Sequence, residues 1–237
     1  MTMNSDQHIL GAFDRDLEAV QALIMKMGGL VEAALHDAAT ALTHRDEELA
    51  NRVRQGDSAI DALEEQVHAE CARLIALRSP TATDLRMVLS VMRIASSLER
   101  CGDYAKNLAK RATVLVQMTP VGGSSGSIAR MAKSVQVLLK DALDAFIQRD
   151  AVAAYRVRQS DQEIDQFYNA VFRELLTHMM EDPRNITPAM HLHFIAKNIE
   201  RVGDHATSIA EQVIYLVTGE VPEGSRPKAD VTSMQES

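Results

Sequence analysis

The chain has no tryptophan, 4% aromatic residues, two cysteines and six prolines in 237 residues. Aromatics this scarce, beside 12 methionines, point away from sheets and toward helices packed with Leu, Ile, Val, Met and Ala. Cys71 and Cys101 make neither a disulfide framework nor a zinc spacing; they read as reduced thiols in a helical core. No stretch approaches the ~18 uninterrupted apolar residues of a membrane span. The opening M-T-M-N-S-D-Q-H has neither the basic nor the apolar region of a secretion signal, so the expected location is the cytoplasm. A basic excess is also missing. The net charge is -8, which excludes the electrostatic footprint of nucleic-acid binding. No Ser/His/Asp or Cys/His constellation is present. Gly122, Gly123 and Gly126 lack the lysine and strand of a phosphate-cradling loop. The E-x-x-H at Glu65 and His68 stands alone, because the second half has Asn169 and Phe172 where a di-iron bundle would need its partner motif. His191 and His193 cannot share a helix face, so His191, His193 and His205 do not make a metal triad.

What is present is long helical periodicity. Pro80, Pro120, Pro183, Pro188, Pro222 and Pro227 all fall where a helix would end. Between them, Phe13, Leu17, Val20, Ile24, Met27, Val31, Ala34, Ala38 and Leu42 keep a three-four stride. Second and third stretches follow on Val53 to Leu74 and Leu85 to Ala109. Three more restart after P-V-G-G-S-S-G-S. The expected organisation is a flexible lead over 1–7, a three-helix bundle over 8–119, a Gly/Ser link over 120–127, a second bundle over 128–218 and a disordered tail over 219–237. Thr187 and Pro188 fit the N-cap and first residue of the last helix. Gly28-Gly29 in the first helix marks a kink or tight packing. Helices of ~30 residues are ~45 Å long, so each unit is a rod and the molecule is elongated.

The halves repeat each other. Arg45-Asp46 recurs as Arg149-Asp150, and D-S-A-I-D at Asp57 to Asp61 as D-Q-E-I-D at Asp161 to Asp165, both at an offset of 104. E-R-C-G-D at Glu99 to Asp103 recurs as E-R-V-G-D at Glu200 to Asp204, at an offset of 101. Acids four apart share a helix face. The chain therefore carries four carboxylate dyads in two matched sets: Asp57/Asp61 with Glu99/Asp103, and Asp161/Asp165 with Glu200/Asp204. Glu64 and His68 extend one stripe, and Asn107 another. Each acid adjoins the apolar seam, which places the stripes at the core boundary. Facing carboxylates repel unless something neutralises them. A hard cation does so through oxygen ligands; pairing with Arg93, Arg100, Lys106 or Arg201 is the other solution. Gly102 and Gly203 each cost about 1 kcal/mol relative to Ala inside a helix. Their repetition beside the same acid marks close approach of another backbone or a bridging ion.

The doubled E-R-x-G-D, the D-x-x-I-D pairs, M-G-G-L-V-E-A-A-L at Met27 to Leu35 and D-L-R at Asp84 to Arg86 together resemble the PhoU family of phosphate-uptake regulators, over roughly residues 8 to 218. The resemblance implies an all-α fold of two tandem, pseudo-symmetric three-helix bundles. It implies a cytoplasmic negative regulator of high-affinity phosphate uptake and of phosphate-starvation transcription. The implied partners are the ATPase subunit of the phosphate ABC transporter and a phosphate sensor histidine kinase, with peripheral membrane association; the expected assembly is a homodimer. Some members of the family hold metal clusters on the acidic motifs. By position, the ligands here are Asp57, Asp61, Glu99, Asp103, Asp161, Asp165, Glu200 and Asp204, and the ion is iron, zinc, manganese or magnesium. Two positions depart from the pattern: Ser208 replaces the Asn that Asn107 provides in the first half, and Tyr168 stands where the first half has Glu64.

Two other readings of the stripes compete with the adaptor. A carboxylate-bridged metallohydrolase or oxidase needs an open coordination position and a substrate pocket. A purely structural scaffold predicts no metal and tolerance of Asp103→Asn.

Overall fold

A computed structural model describes residues 3–222, with side chains from Arg15 onward. The described backbone holds seven α-helices: α1 (Met3–His44), α2 (Glu47–Gly56), α3 (Ser58–Arg78), α4 (Ala82–Leu115), α5 (Ser124–Gln148), α6 (Ala151–Glu181) and α7 (Ile186–Thr218), with a short 3-10 turn over Pro183–Asn185. The apolar stride of α1 is the core face: Leu17, Val20, Ile24, Met27, Val31, Ala38 and Leu42 are buried. Phe13 lies outside the described side chains.

The repeated Arg-Asp pairs build the same turn twice. Arg45 (φ 56) and Arg149 (φ 52) end their helices in the left-handed region. Asp46 then accepts a hydrogen bond from the Leu49 amide at 2.9 Å. Asp150 accepts from the amides of Val152 and Ala153 at 2.8 and 3.0 Å. Both are N-caps that satisfy orphan donors at the start of the next helix. Arg45 also reaches the C-terminus of α4, donating to the carbonyls of Leu115, Val116 and Met118.

The structure corrects the expected boundaries in four places. The second helix of the first half is two helices, α2 and α3, because Gly56 ends one and the buried Asp57 begins the next. The second half has Ser160 where the first has Gly56, and α6 runs unbroken. The Gly/Ser link is docked rather than free: Val121, Ser124 and Ser127 are buried, Ser127 Oγ donates to Glu174 at 2.8 Å, and α5 starts at Ser124. Thr187 lies inside α7, because the 3-10 turn capped by Asp182 leads directly into that helix. Finally, α1 is already helical from Met3, since M-N-S-D-Q-H contains no Pro or Gly to stop it. Of the expected tail, Gly219 (φ 81) closes α7, and residues 223–237 lie outside the described residues.

α4 and α7 form the central pair, α1 and α5 pack together on one side of it, and α3 and α6 flank the outside. The two three-helix units thus lie side by side with a shared core, and elongation comes from helix length; α4, at 34 residues, is about 50 Å long. Gly28 packs tightly rather than kinking α1: a Cβ there would stand 2.6 Å from Leu143 Cδ1 of α5.

Candidate functional site

The four dyads converge in pairs, one on the α3–α4 seam and one on the α6–α7 seam. The device that brings each pair together is the same. A Cβ on Gly102 would meet Ile60 Cδ1 at 2.9 Å and Asp57 Oδ1 at 3.5 Å. A Cβ on Gly203 would meet Ile164 Cγ2 at 3.3 Å and Asp161 Oδ1 at 3.5 Å. Each glycine therefore lets the second helix of the pair press onto an Ile and a buried Asp of the first. The sequence repeat is a repeat of this contact.

In the first half, Asp57 is buried at 4% exposure, and Lys106 Nζ donates to its Oδ2. Lys106 also stands 3.9 Å from Asp103, and Arg100 lies 3.6 Å from Asp103 and 3.9 Å from Glu99. Glu64 accepts from Ser96 Oγ at 2.7 Å, and His68 lies 4.0 Å from it. The acids feel each other. Partial burial, then Asp103 and Glu64, push the Glu99 carboxyl up to about 7; Arg100 opposes this and Asp61 adds to it. Asp61 is exposed, contrary to the core-boundary expectation. Its carboxyl is still raised, by desolvation first and then by Asp57, with Lys106 opposing. Asn107 is also exposed.

The second half is drier. Asp161, Asp165 and Glu200 are buried at 4–5% exposure, and Tyr168 and Asn169 are also buried; Asp204 is half-buried. Lys197 Nζ donates to Glu200 Oε1 at 2.9 Å and sits 4.8 Å from the Tyr168 ring centre. Desolvation raises the Glu200 carboxyl, Lys197 opposes it, and Asp204 and Asp165 add to it. The other carboxylate oxygen, Oε2, is buried with no hydrogen-bond partner. Ser208 turns its hydroxyl back to the Asp204 carbonyl at 2.9 Å. The histidines are dispersed. His193 stacks among Phe172, Tyr168 and Phe194, His205 against Tyr104, and His191 lies beside Arg111.

The cations are not repeated as the acids are. Lys106 corresponds to Thr207 in the second half, and Lys197 to Ser96 in the first. Each half neutralises its stripe from a different helical position. Of the residues named from sequence as pairing partners, Lys106 and Arg100 do so; Arg201 lies over the Tyr104 ring, and Arg93 opens onto the cleft beside His68. Lys197 was not foreseen. Its signal is the i,i+3 spacing to Glu200.

The donor set suits a hard cation: carboxylate oxygens only, three of the carboxyls raised by burial and by one another, with one buried oxygen orphaned. As placed, however, no three Asp, Glu, His or Cys groups among the described residues stand close enough to share one ion. Lysine ammonium groups hold that place, on Asp57 in one half and Glu200 in the other.

Comparison with known proteins agrees with this duplicated architecture. The PhoU domain family matches residues 24–112 and again 128–213. A phosphate-specific transport system accessory protein PhoU homolog of Caulobacter vibrioides is 46% identical, covering 96% of this chain and 99% of its own. The PhoU homolog of Rhizobium meliloti is 45% identical over 97% of both chains. Crystal structures of PhoU from Pseudomonas aeruginosa (40% identity, TM-score 0.85, 88% of this chain and all of that one) and of the phosphate transport system regulatory protein PhoU from Streptococcus pneumoniae (32% identity, TM-score 0.82, 89% and 99%) share the fold. With the domain present twice and near-full-length relatives well above 30% identity, the chain belongs to the PhoU family.

Proposed function

We propose that this protein is a cytoplasmic accessory regulator, not an enzyme, that restrains high-affinity phosphate uptake and the phosphate-starvation response when phosphate is plentiful. It couples the ATPase subunit of the phosphate ABC transporter to a sensor histidine kinase. The observation that carries the reading is the near-full-length match to proteins named as phosphate transport accessory and regulatory proteins. Long helical faces supply surfaces for partner helices. Its contact with the transporter is peripheral in this reading, and no described helix is long and apolar enough to cross a membrane. The working form is a homodimer.

The stripes are the variable part of this device. Asp57, Asp61, Glu99 and Asp103 form one site for a hard cation, and Asp161, Asp165, Glu200 and Asp204 the other; iron, zinc, manganese and magnesium all suit oxygen ligands. When bound, the ion supplies charge neutralisation that lets facing carboxylates approach. The chain's own part is to seat lysines there in its absence and to swing them aside. Exchange of lysine for metal would reset the α3–α4 and α6–α7 contacts that partners read. The test is deletion in the source cell. Derepressed uptake and starvation-gene expression in high phosphate is the expected result; unchanged levels of both overturn the reading.

A further inference from the structure

Next to the acidic stripe on α6, and sharing Ile164 with that seam, an open groove of about 690 Å³ runs between α5 and α6. Its floor is apolar, with Leu138, Ala145, Val157 and Ile164 buried beneath it and Val137 half-exposed on the wall. Its rim is acidic, with Asp141, Asp144, Asp150 and Glu163 against Arg156. Asp144 is paired with Lys140 at 2.6 Å, and Asp150 caps α6. Asp141 and Glu163 are exposed and have no salt-bridge partner among the described residues. The groove follows α5 from Ser134 to Gln148, about four helical turns or 20 Å.

The first half provides a comparison within the same chain. At the offset of 104, Asp144 and Glu163 correspond to Thr40 and Ala59, and Ala153 to Leu49. Leu49 and Ala153 both pack against the core, and the smaller Ala153 also lines the groove. The second half therefore carries Glu163 and the paired Asp144 and Lys140 where the first has Ala59, Thr40 and His36, and a smaller side chain at position 153. None of these positions belongs to the carboxylate stripe, which faces α7.

We propose that the α5–α6 groove docks a cationic amphipathic helix of a partner protein, of about four turns. The apolar floor takes the partner's i, i+4 stripe of aliphatic residues, and the acidic rim takes flanking Lys and Arg. Charge complementarity across a rim sets association rate and partner choice. The inference stands apart from the regulatory reading, since the groove's chemistry is the same whichever process the partner belongs to.

The probe is a labelled 14-residue helical peptide of Leu and Lys at amphipathic spacing, with a Leu/Glu peptide of the same pattern as its counterpart. Both are titrated into the intact protein by fluorescence anisotropy at about 0.15 M salt. Asp141→Lys with Glu163→Lys is expected to weaken the Leu/Lys peptide at least tenfold. Glu18→Lys with Glu220→Lys makes the same change of net charge on exposed residues elsewhere and is expected to stay within threefold. Val137→Asp tests the apolar wall and is expected to weaken binding severalfold. A fluorophore on Ser134→Cys, with Cys71 and Cys101 buried, should respond to the Leu/Lys peptide in the otherwise native protein. Equal weakening by both charge reversals, equal binding of the Leu/Glu peptide, or a silent fluorophore at saturation each overturns the proposal.

Discussion

Replacing Glu99 by Gln should make the metal-free protein more stable, and only above the ordinary carboxylate range. Glu99 is held at about 7 against an ordinary value of 4.5, by partial burial and by Asp103, Glu64 and Asp61. A folded-state value above the unfolded one means the native state binds the proton more tightly. The charged form is then a cost to folding that is absent below 4.5, grows as pH rises and is complete above 7. The gap converts to about 3 kcal/mol at 1.36 kcal/mol per pH unit. The side chain is 22% exposed, and discounting for solvent screening leaves about 1–2 kcal/mol. A neutral amide removes that cost. For a chain of this size, 1 kcal/mol moves Tm by about 2–4 °C, so Glu99→Gln should melt about 2–8 °C higher at pH 8 in chelator and nearly unchanged at pH 5. The assay is thermal unfolding by circular dichroism at both pH values. Added Mn2+ should raise the Tm of the native protein at pH 8 more than that of the variant. A variant no more stable than the native protein at pH 8, or stabilised equally at pH 5, would refute the reasoning that these carboxylates are in conflict.

Four further outcomes follow from the packing and burial of these residues. Gly102→Ala places a Cβ 2.9 Å from Ile60 Cδ1; overpacking of about 1–3 kcal/mol less about 1 kcal/mol of helix propensity leaves a net loss of about 1 kcal/mol in urea unfolding. Gly203→Ala has its nearest contact at 3.3 Å and should be close to neutral. Lys106→Met leaves the buried Asp57 without its ammonium partner and should cost about 1–2 kcal/mol, with Asp57→Asn recovering part of it in a double-mutant cycle. Native Cys71 and Cys101 should resist a disulfide reagent at pH 8 until the protein unfolds, because burial pushes the Cys71 thiol to about 11 and the Cys101 thiol higher still.

Much of this arrangement is legible in the sequence because it is periodic or duplicated. The apolar stride of α1 names its core face residue by residue, and the offsets of 104 and 101 identify the two seams. The repeated glycine beside the repeated acid reads correctly as close approach, although the thing approached is an Ile side chain and an Asp carboxylate, not a backbone. What the repeat could not reveal is where the halves diverge. The break at Gly56 depends on one residue that becomes Ser160 in the other half. The docking of Ser127 depends on a contact with Glu174 of α6 that local composition, rich in Gly and Ser, does not encode. Lys106 and Lys197 occupy non-equivalent positions, so aligning the halves conceals them. Asp61 adjoins the buried Ile60 in sequence, yet it points outward, since neighbours in a helix are 100° apart.

The most direct test of the account is the metal content of the protein purified without added metal or chelator, beside a variant with Asp103→Asn and Asp204→Asn. The account predicts stoichiometric iron, zinc, manganese or magnesium in the native protein and its loss from a variant that remains folded. No metal in either protein, even after incubation with all four ions, would contradict it and leave Lys106 and Lys197 as the permanent partners of the stripes.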